Sequence, residues 1–223
     1  GDGTRAGYDL ALTRAIADDQ LTMVFQPVVD LAAGRIIGAE ALLRWDHPSL
    51  GPISPARFIP VVERMGLSDS YGLWVLNAAC REARLWQDEG LADLKVAVNL
   101  SARQLLDPGL VGKVERTLKR HGLSPRALEL ELTETATMAD ATGTLRLFGD
   151  LRAMGVSLAI DDFGTGYSSL SYLKNLPFDK LKIDREFVTQ IESRRDSRAI
   201  CKALIELGRG LDLLILAEGV ETA

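Results

Sequence analysis

Cysteine and histidine are both scarce, with two of each in 223 residues. Cys80 and Cys201 fall in separate helical patterns far apart in the chain. A disulfide framework is therefore unsupported, and the pair reads as buried thiols of a reducing cytosol. His47 and His121 sit in a loop and at a helix end, without zinc spacing, and read as solvated. No run is apolar for long enough to span a bilayer. The opening GDGTRAGYD has neither a signal-peptide pattern nor an initiator Met, and reads as the cut end of a longer protein. A positive charge excess is also missing. The net charge is −5, so nothing global points to a nucleic-acid polymer or an anionic membrane. A small anionic ligand stays open, because a bound cation inverts the local field. There is no G-x-S-x-G elbow. Aromatic residues make up only 6%, and Trp45, Trp74 and Trp86 read as core or rim packing. GTGYSS after a strand has the look of a dinucleotide-binding loop. Ser169, however, stands where the third glycine belongs, and two preceding aspartates would repel a pyrophosphate.

What is present is ordinary globular composition, 47% hydrophobic and 26% charged, enough for one large core or two small domains. Residues 7–19 read as an amphipathic helix. MVFQPVVDL (23–31) and RIIGAEALLRW (35–45) read as strands joined by a short AAG turn, hence antiparallel. HPSLGPISP (47–55) reads as a loop. Ser54 and Pro55 look like the cap and first position of a helix reaching about Met65. Helices and strands then alternate. A helix over 69–89 is expected to bury Leu73, Leu76, Ala79, Cys80, Ala83 and Trp86. Strand 94–101 precedes a helix over 109–121. Strand 127–134 precedes a helix ending near Met154, and strand 156–162 a short helix near 168–174. Strand 180–184 leads to a helix over 196–210 with Ile200, Ala203, Leu204 and Leu207 on one face, and strand 213–219 follows. Such alternation implies parallel strands covered by helices, in an open doubly wound sheet or a closed barrel.

Polar residues at strand ends bear on that choice. Glu40, Asn99, Glu131, Asp161, Asp162, Lys182 and Glu218 all lie toward the C-terminal ends of expected strands. In a barrel those ends meet on one face, whereas the outer strands of an open sheet could not reach a common point. A single strand-end acid is more often a helix cap, and Asp162 or Glu134 could serve in that way. The full set is harder to explain so. Several carboxylates and an Asn are all oxygen donors, and they share a site only around a hard cation such as Mg²⁺ or Mn²⁺.

The motifs EALLRW (40–45), FQPVVD (25–30), PARFIPVVE (55–63), VNLS (98–101), ELTE (131–134), DDFGTGYSSL (161–170), LKIDREFV (181–188) and AEGVET (217–222) occur in that order. Together they resemble the EAL-domain cyclic di-GMP phosphodiesterases. The resemblance implies an α/β fold, a TIM-like (β/α)8 barrel with an antiparallel first strand, and hydrolysis of cyclic di-GMP to linear pGpG with two Mg²⁺ or Mn²⁺ ions, Ca²⁺ being inhibitory. Carried over by position, Glu40, Asn99, Glu131 and Asp161 hold the first metal. Asp161 bridges to a second, which Asp162 also binds. Lys182 and Glu218 position the attacking water. Arg44 resembles a phosphate contact and Gln26 a substrate contact. Asp184 and Glu221 match acids lining the site, and Glu134 matches the acid that holds the DDFGTGYSSL loop in shape.

The family pattern continues beyond AEGVET with a further helix and strand, so the resemblance implies a single EAL domain over 1–223 that lacks its last barrel strand. It also implies a homodimer, an upstream sensory or GGDEF domain, and a cytoplasmic position compatible with a membrane-anchored parent. Two rivals stand beside this reading: a non-catalytic cyclic di-GMP receptor or regulatory module, and a divalent-metal barrel enzyme for another phosphoester.

Overall fold

The computed structural model describes residues 3–137, 141–163 and 174–220, with the side chains of 3–7 and 141–142 left aside. Residues 164–173, which include the glycines and serines of DDFGTGYSSL and most of the short helix expected near 168–174, lie outside the described residues, as does Glu221. The chain forms two compact units, Gly1–Leu128 and Glu129–Ala223. Among the described residues no helix is long and apolar enough to cross a membrane.

In the first unit, helix α1 (Gly3–Arg14) precedes strands β1 (Leu21–Asp30) and β2 (Arg35–His47). The two strands pair antiparallel, as their short connection requires. Asp30 closes that turn, its Oδ1 accepting from the N–H groups of Ala32 and Ala33, the local bond that makes Asp a turn residue. The stretch 47–55 is more than a loop. Within it, β3 (Gly51–Ile53) adds to β2, with Ile53 opposite Trp45. Helix α2 (Pro55–Arg64) begins at the expected place, but the Ser54 side chain makes no cap hydrogen bond, so Pro55 is the local start signal. Tyr8, Leu12, Trp45, Phe58 and Tyr71 form one buried cluster, in which Tyr71 Oη donates to the Leu12 carbonyl at 2.8 Å.

Helix α3 (Ser68–Asp88) buries Tyr71, Leu76, Ala79, Cys80 and Ala83. Leu73, expected inside, is 40% exposed, and Trp86 is half-buried with its ring edge-on to Phe25. Strand β4 (Lys95–Leu100) runs parallel to β2, followed by α4 (Ala102–Leu105) and α5 (Leu110–His121). Neither histidine is fully solvated, contrary to expectation. His47 accepts from the N–H groups of Ser49 and Leu50 and lies edge-on to Trp45. His121 is half-buried, its Nε2 3.1 Å from Asn77 Oδ1, and burial together with Arg120 and Arg81 lowers its pKa.

The second unit carries β5 (Leu128–Thr133), β6 (Ser157–Phe163), β7 (Lys180–Ile183) and β8 (Leu214–Ala217). The pairs β5–β6, β6–β7 and β7–β8 are all parallel. The apolar run of β6 is buried over Ser157–Ile160, as suits a strand covered on both faces, whereas β5 and β7 alternate charged and apolar residues. Between them lie α6 (Glu134–Thr137), α7 (Ala141–Met154), α8 (Arg185–Val188) and α9 (Arg195–Gly210). Helix α9 corrects the expected face. Ser197, Cys201, Leu204 and Gly208 are buried, whereas Ile200 is 37% exposed and Ala203 is exposed as well. The helix packs by its small residues. A Cβ on Gly208 would meet Ile215 Cδ1 at 2.0 Å, so close approach to β8 selects the buried stripe over side-chain hydrophobicity.

Candidate active site

Lys182, on β7, is fully buried. Its Nζ lies 2.5 Å from Glu131 Oε2 on β5, 2.7 Å from Glu218 Oε1 just beyond β8, and 3.6 Å from Asp161 Oδ2 on β6. A buried ammonium is tolerated only when paired, and here carboxylates from three strand ends surround it. Negative charge is in excess. Asp161, Asp162 and Glu218 each offer an oxygen, all within 4.8 Å of one another, an arrangement that could hold a metal ion.

Two consecutive residues of a regular strand point to opposite faces, so Asp161 and Asp162 join one cluster only because the backbone departs from a strand. Asp162 has φ 55, and the β6–β7 register shifts between Ile160 and Phe163. The Asp162 N–H donates to Asp161 Oδ1 at 2.8 Å. Aspartate is among the few non-glycine residues that enter this left-handed region readily. The Asp162 carboxyl is pushed up to about 7, first by burial, then by the charge of Asp161, by a hydrogen bond and charge from Asp184, and by Glu218. Asp184 also caps α8, accepting the Glu186 N–H at 2.6 Å.

Glu134 is buried at the start of α6. It is not the cap, because Thr133 Oγ1 accepts the Ala136 N–H at 3.2 Å. In the first unit, Asn99 Nδ2 donates to Glu40 Oε1 at 2.8 Å. Gln26 is exposed and stands opposite Glu40 in the β1–β2 register. Arg44 is half-buried and donates to the Leu43 carbonyl at 3.0 Å.

A second buried ion pair lies outside the set of strand-end residues. Lys180 Nζ lies 2.8 Å from Glu129 Oε1, with side chains only 12% and 4% exposed. The two-residue repeats of LELEL and KLKI carry the signal, since residues two apart share a strand face.

The family model described as EAL domain matches residues 9–223. The chain belongs to the EAL domain family. This EAL domain is 51% identical, over 95% of its length, to the bifunctional diguanylate cyclase/cyclic di-GMP phosphodiesterase MucR of Pseudomonas aeruginosa, and covers 31% of that protein. It is 46% identical over the same share to the cyclic di-GMP phosphodiesterase NbdA of that organism, covering 27%. It thus spans less than a third of the length of either relative. Among solved structures, the PaMucR phosphodiesterase in complex with c-di-GMP matches with a TM-score of 0.92 over 95% of this chain and 86% of that one, at 51% identity. The EAL enzyme Bd1971, bound to cAMP and cyclic di-GMP, matches with a TM-score of 0.93 over 98% of this chain and 60% of that one, at 32% identity. The fold class is therefore the TIM-like α/β type of EAL domains, and its first strand is antiparallel to the second.

Proposed function

We propose that this EAL domain is a metal-dependent phosphodiesterase that opens one phosphodiester bond of cyclic di-GMP to give linear pGpG. The carrying observation is the Asp161–Asp162–Glu218 cluster around buried Lys182, in a chain half identical to MucR. The all-oxygen donor set fits a hard cation, Mg²⁺ or Mn²⁺. The raised Asp162 carboxyl supports the same reading, since the cluster holds more negative charge than it can keep ionised without a cation.

In this reading Glu40, Asn99, Glu131 and Asp161 hold one ion, and Asp161 and Asp162 a second. When bound, the ions acidify a water and stabilise charge on the phosphate oxygens. The residues themselves do the positioning. Lys182, fixed by its carboxylates, orients the water, and Glu218 accepts its proton. Arg44 offers a planar fork to a phosphate oxygen, and Gln26 contacts the substrate. Asp184 and Glu221 line the site, and Glu134 anchors the loop after Phe163. The same oxygen donors would also accept Ca²⁺, which in this reading would not support turnover. The longer protein is proposed to be a homodimer with a sensory or diguanylate cyclase domain upstream, the domain described here lying in the cytoplasm.

The test is incubation of the purified protein with cyclic di-GMP and Mg²⁺ or Mn²⁺, the product being resolved by chromatography and mass. The expected product is pGpG. It should be absent with chelator, with Ca²⁺ alone and in Asp161→Asn. Binding of cyclic di-GMP without any pGpG would favour the receptor reading.

A further inference from the structure

We propose that Glu129 and Lys180 form a positioning pair, which keeps Lys180 away from Glu131 and so leaves Glu131 to Lys182 and to the cation. The proposal rests on the metal-dependent reading given above.

Strand register makes the pairing informative. Glu131 on β5 is level with Ala159 on β6, and Ala159 is level with Lys180 on β7. The carboxylate directly across from Lys180 is therefore that of Glu131. The Lys180 ammonium nevertheless goes to Glu129 at 2.8 Å, and the Lys182 ammonium takes Glu131 at 2.5 Å. Two ion pairs thus follow one another along β5, Glu129–Lys180 and Glu131–Lys182, and only the second belongs to the active site.

β5 and β7 are not neighbours. With β6 between them they stand about 9.5 Å apart, twice the spacing of adjacent strands. Long lysine and glutamate side chains can meet over that distance if the intervening residue is small, and Ala159 occupies that level, fully buried. The same openness makes the arrangement vulnerable. A buried ammonium that loses its partner is left uncompensated, and the carboxylate level with Lys180 by register is that of Glu131. Glu131 would then be divided between two cations of the protein and become a poorer ligand for a metal ion. Glu129 is thus expected to set the availability of Glu131 without touching substrate or metal.

The test is calorimetric titration with Mn²⁺ of the wild type, Glu129→Gln and Glu129→Gln/Lys180→Met, with a thermal melt of each and kcat and KM for cyclic di-GMP. Glu129→Gln should weaken Mn²⁺ binding about tenfold, a usual coupling between contacting charged groups. It should lower kcat while leaving KM in place. The double variant lacks the stray ammonium, and should recover most of the Mn²⁺ affinity even if its melting temperature stays low. Wild-type affinity in Glu129→Gln, or a double variant as impaired as the single one, overturns the proposal. Should Glu129→Gln not fold, Lys180→Met decides: unchanged Mn²⁺ affinity supports the proposal and a tenfold loss overturns it. A wild-type protein that binds no Mn²⁺ would instead sink the metal-dependent reading itself, so the two failures are separable.

Discussion

Asp162 concentrates the conflict between stability and function in one residue. Its carboxyl ionises near 3.8 in an unperturbed setting and at about 7 in the fold. Below the lower value both folded and unfolded chains carry the proton. As pH rises between the two values the unfolded chain releases it first, so the folded state loses stability, and above about 7 the loss is complete. The metal-free protein is therefore expected to gain a pH-dependent penalty from Asp162 between about pH 4 and pH 7. Melts in chelator should show it, and Asp162→Asn should flatten that part of the slope. Metal binding runs the other way. The proton must leave before Asp162 can serve as a ligand, so Mn²⁺ affinity should fall by up to about tenfold per unit as pH drops below 7. Calorimetric titrations on either side of neutrality check this, and an affinity independent of pH would remove Asp162 from the ligand set.

At the scale of elements, the β2–β4 pair carries Glu40 and Asn99. Gly38 faces Lys95 across that pair, and a Cβ at Gly38 would lie 2.4 Å from the Lys95 carbonyl oxygen. Backbone cannot give way as a side-chain tip can. Gly38→Ala is thus expected to push the strands apart, to lower stability by about 1–3 kcal/mol as overpacking does, and to disturb the 2.8 Å Glu40–Asn99 hydrogen bond. Urea unfolding measures the first effect and turnover the second. This pair also shows what sequence can and cannot reveal. The strands were legible because runs such as KVAVN and VSLAI are apolar and bounded by turn residues. Their terminal acids were legible because they interrupt those runs. The left-handed turn at Asp162 was not, since aspartate carries no obligatory backbone signal. The repeats of LELEL and KLKI show which residues share a strand face, but the pairing of Glu129 with Lys180 was not legible, because only tertiary register brings β5 within reach of β7. The buried face of helix α9 is hidden from sequence for a similar reason. Periodicity weighs large apolar residues, whereas the buried stripe there is fixed by how closely Gly208 lets the helix approach Ile215.

For the whole molecule, the EAL family match over residues 9–223 runs across both compact units. Each of them contains one cysteine, Cys80 in the first and Cys201 in the second, both buried and free. Burial raises both thiols above their ordinary range, Cys80 to about 12. Neither is expected to react while its surroundings stay closed, because the thiolate is the nucleophile. A disulfide reagent added to the native protein should therefore be consumed only as fast as each unit opens, and local opening differs in free energy from one part of a protein to another. Two labelling phases are expected, one assignable to each unit by peptide mass, whereas a single shared rate would mean that the units open as one. The pair of sulfurs is in effect a built-in kinetic probe: without any introduced label, the rate at which each disappears reports how often its own half of the domain comes apart.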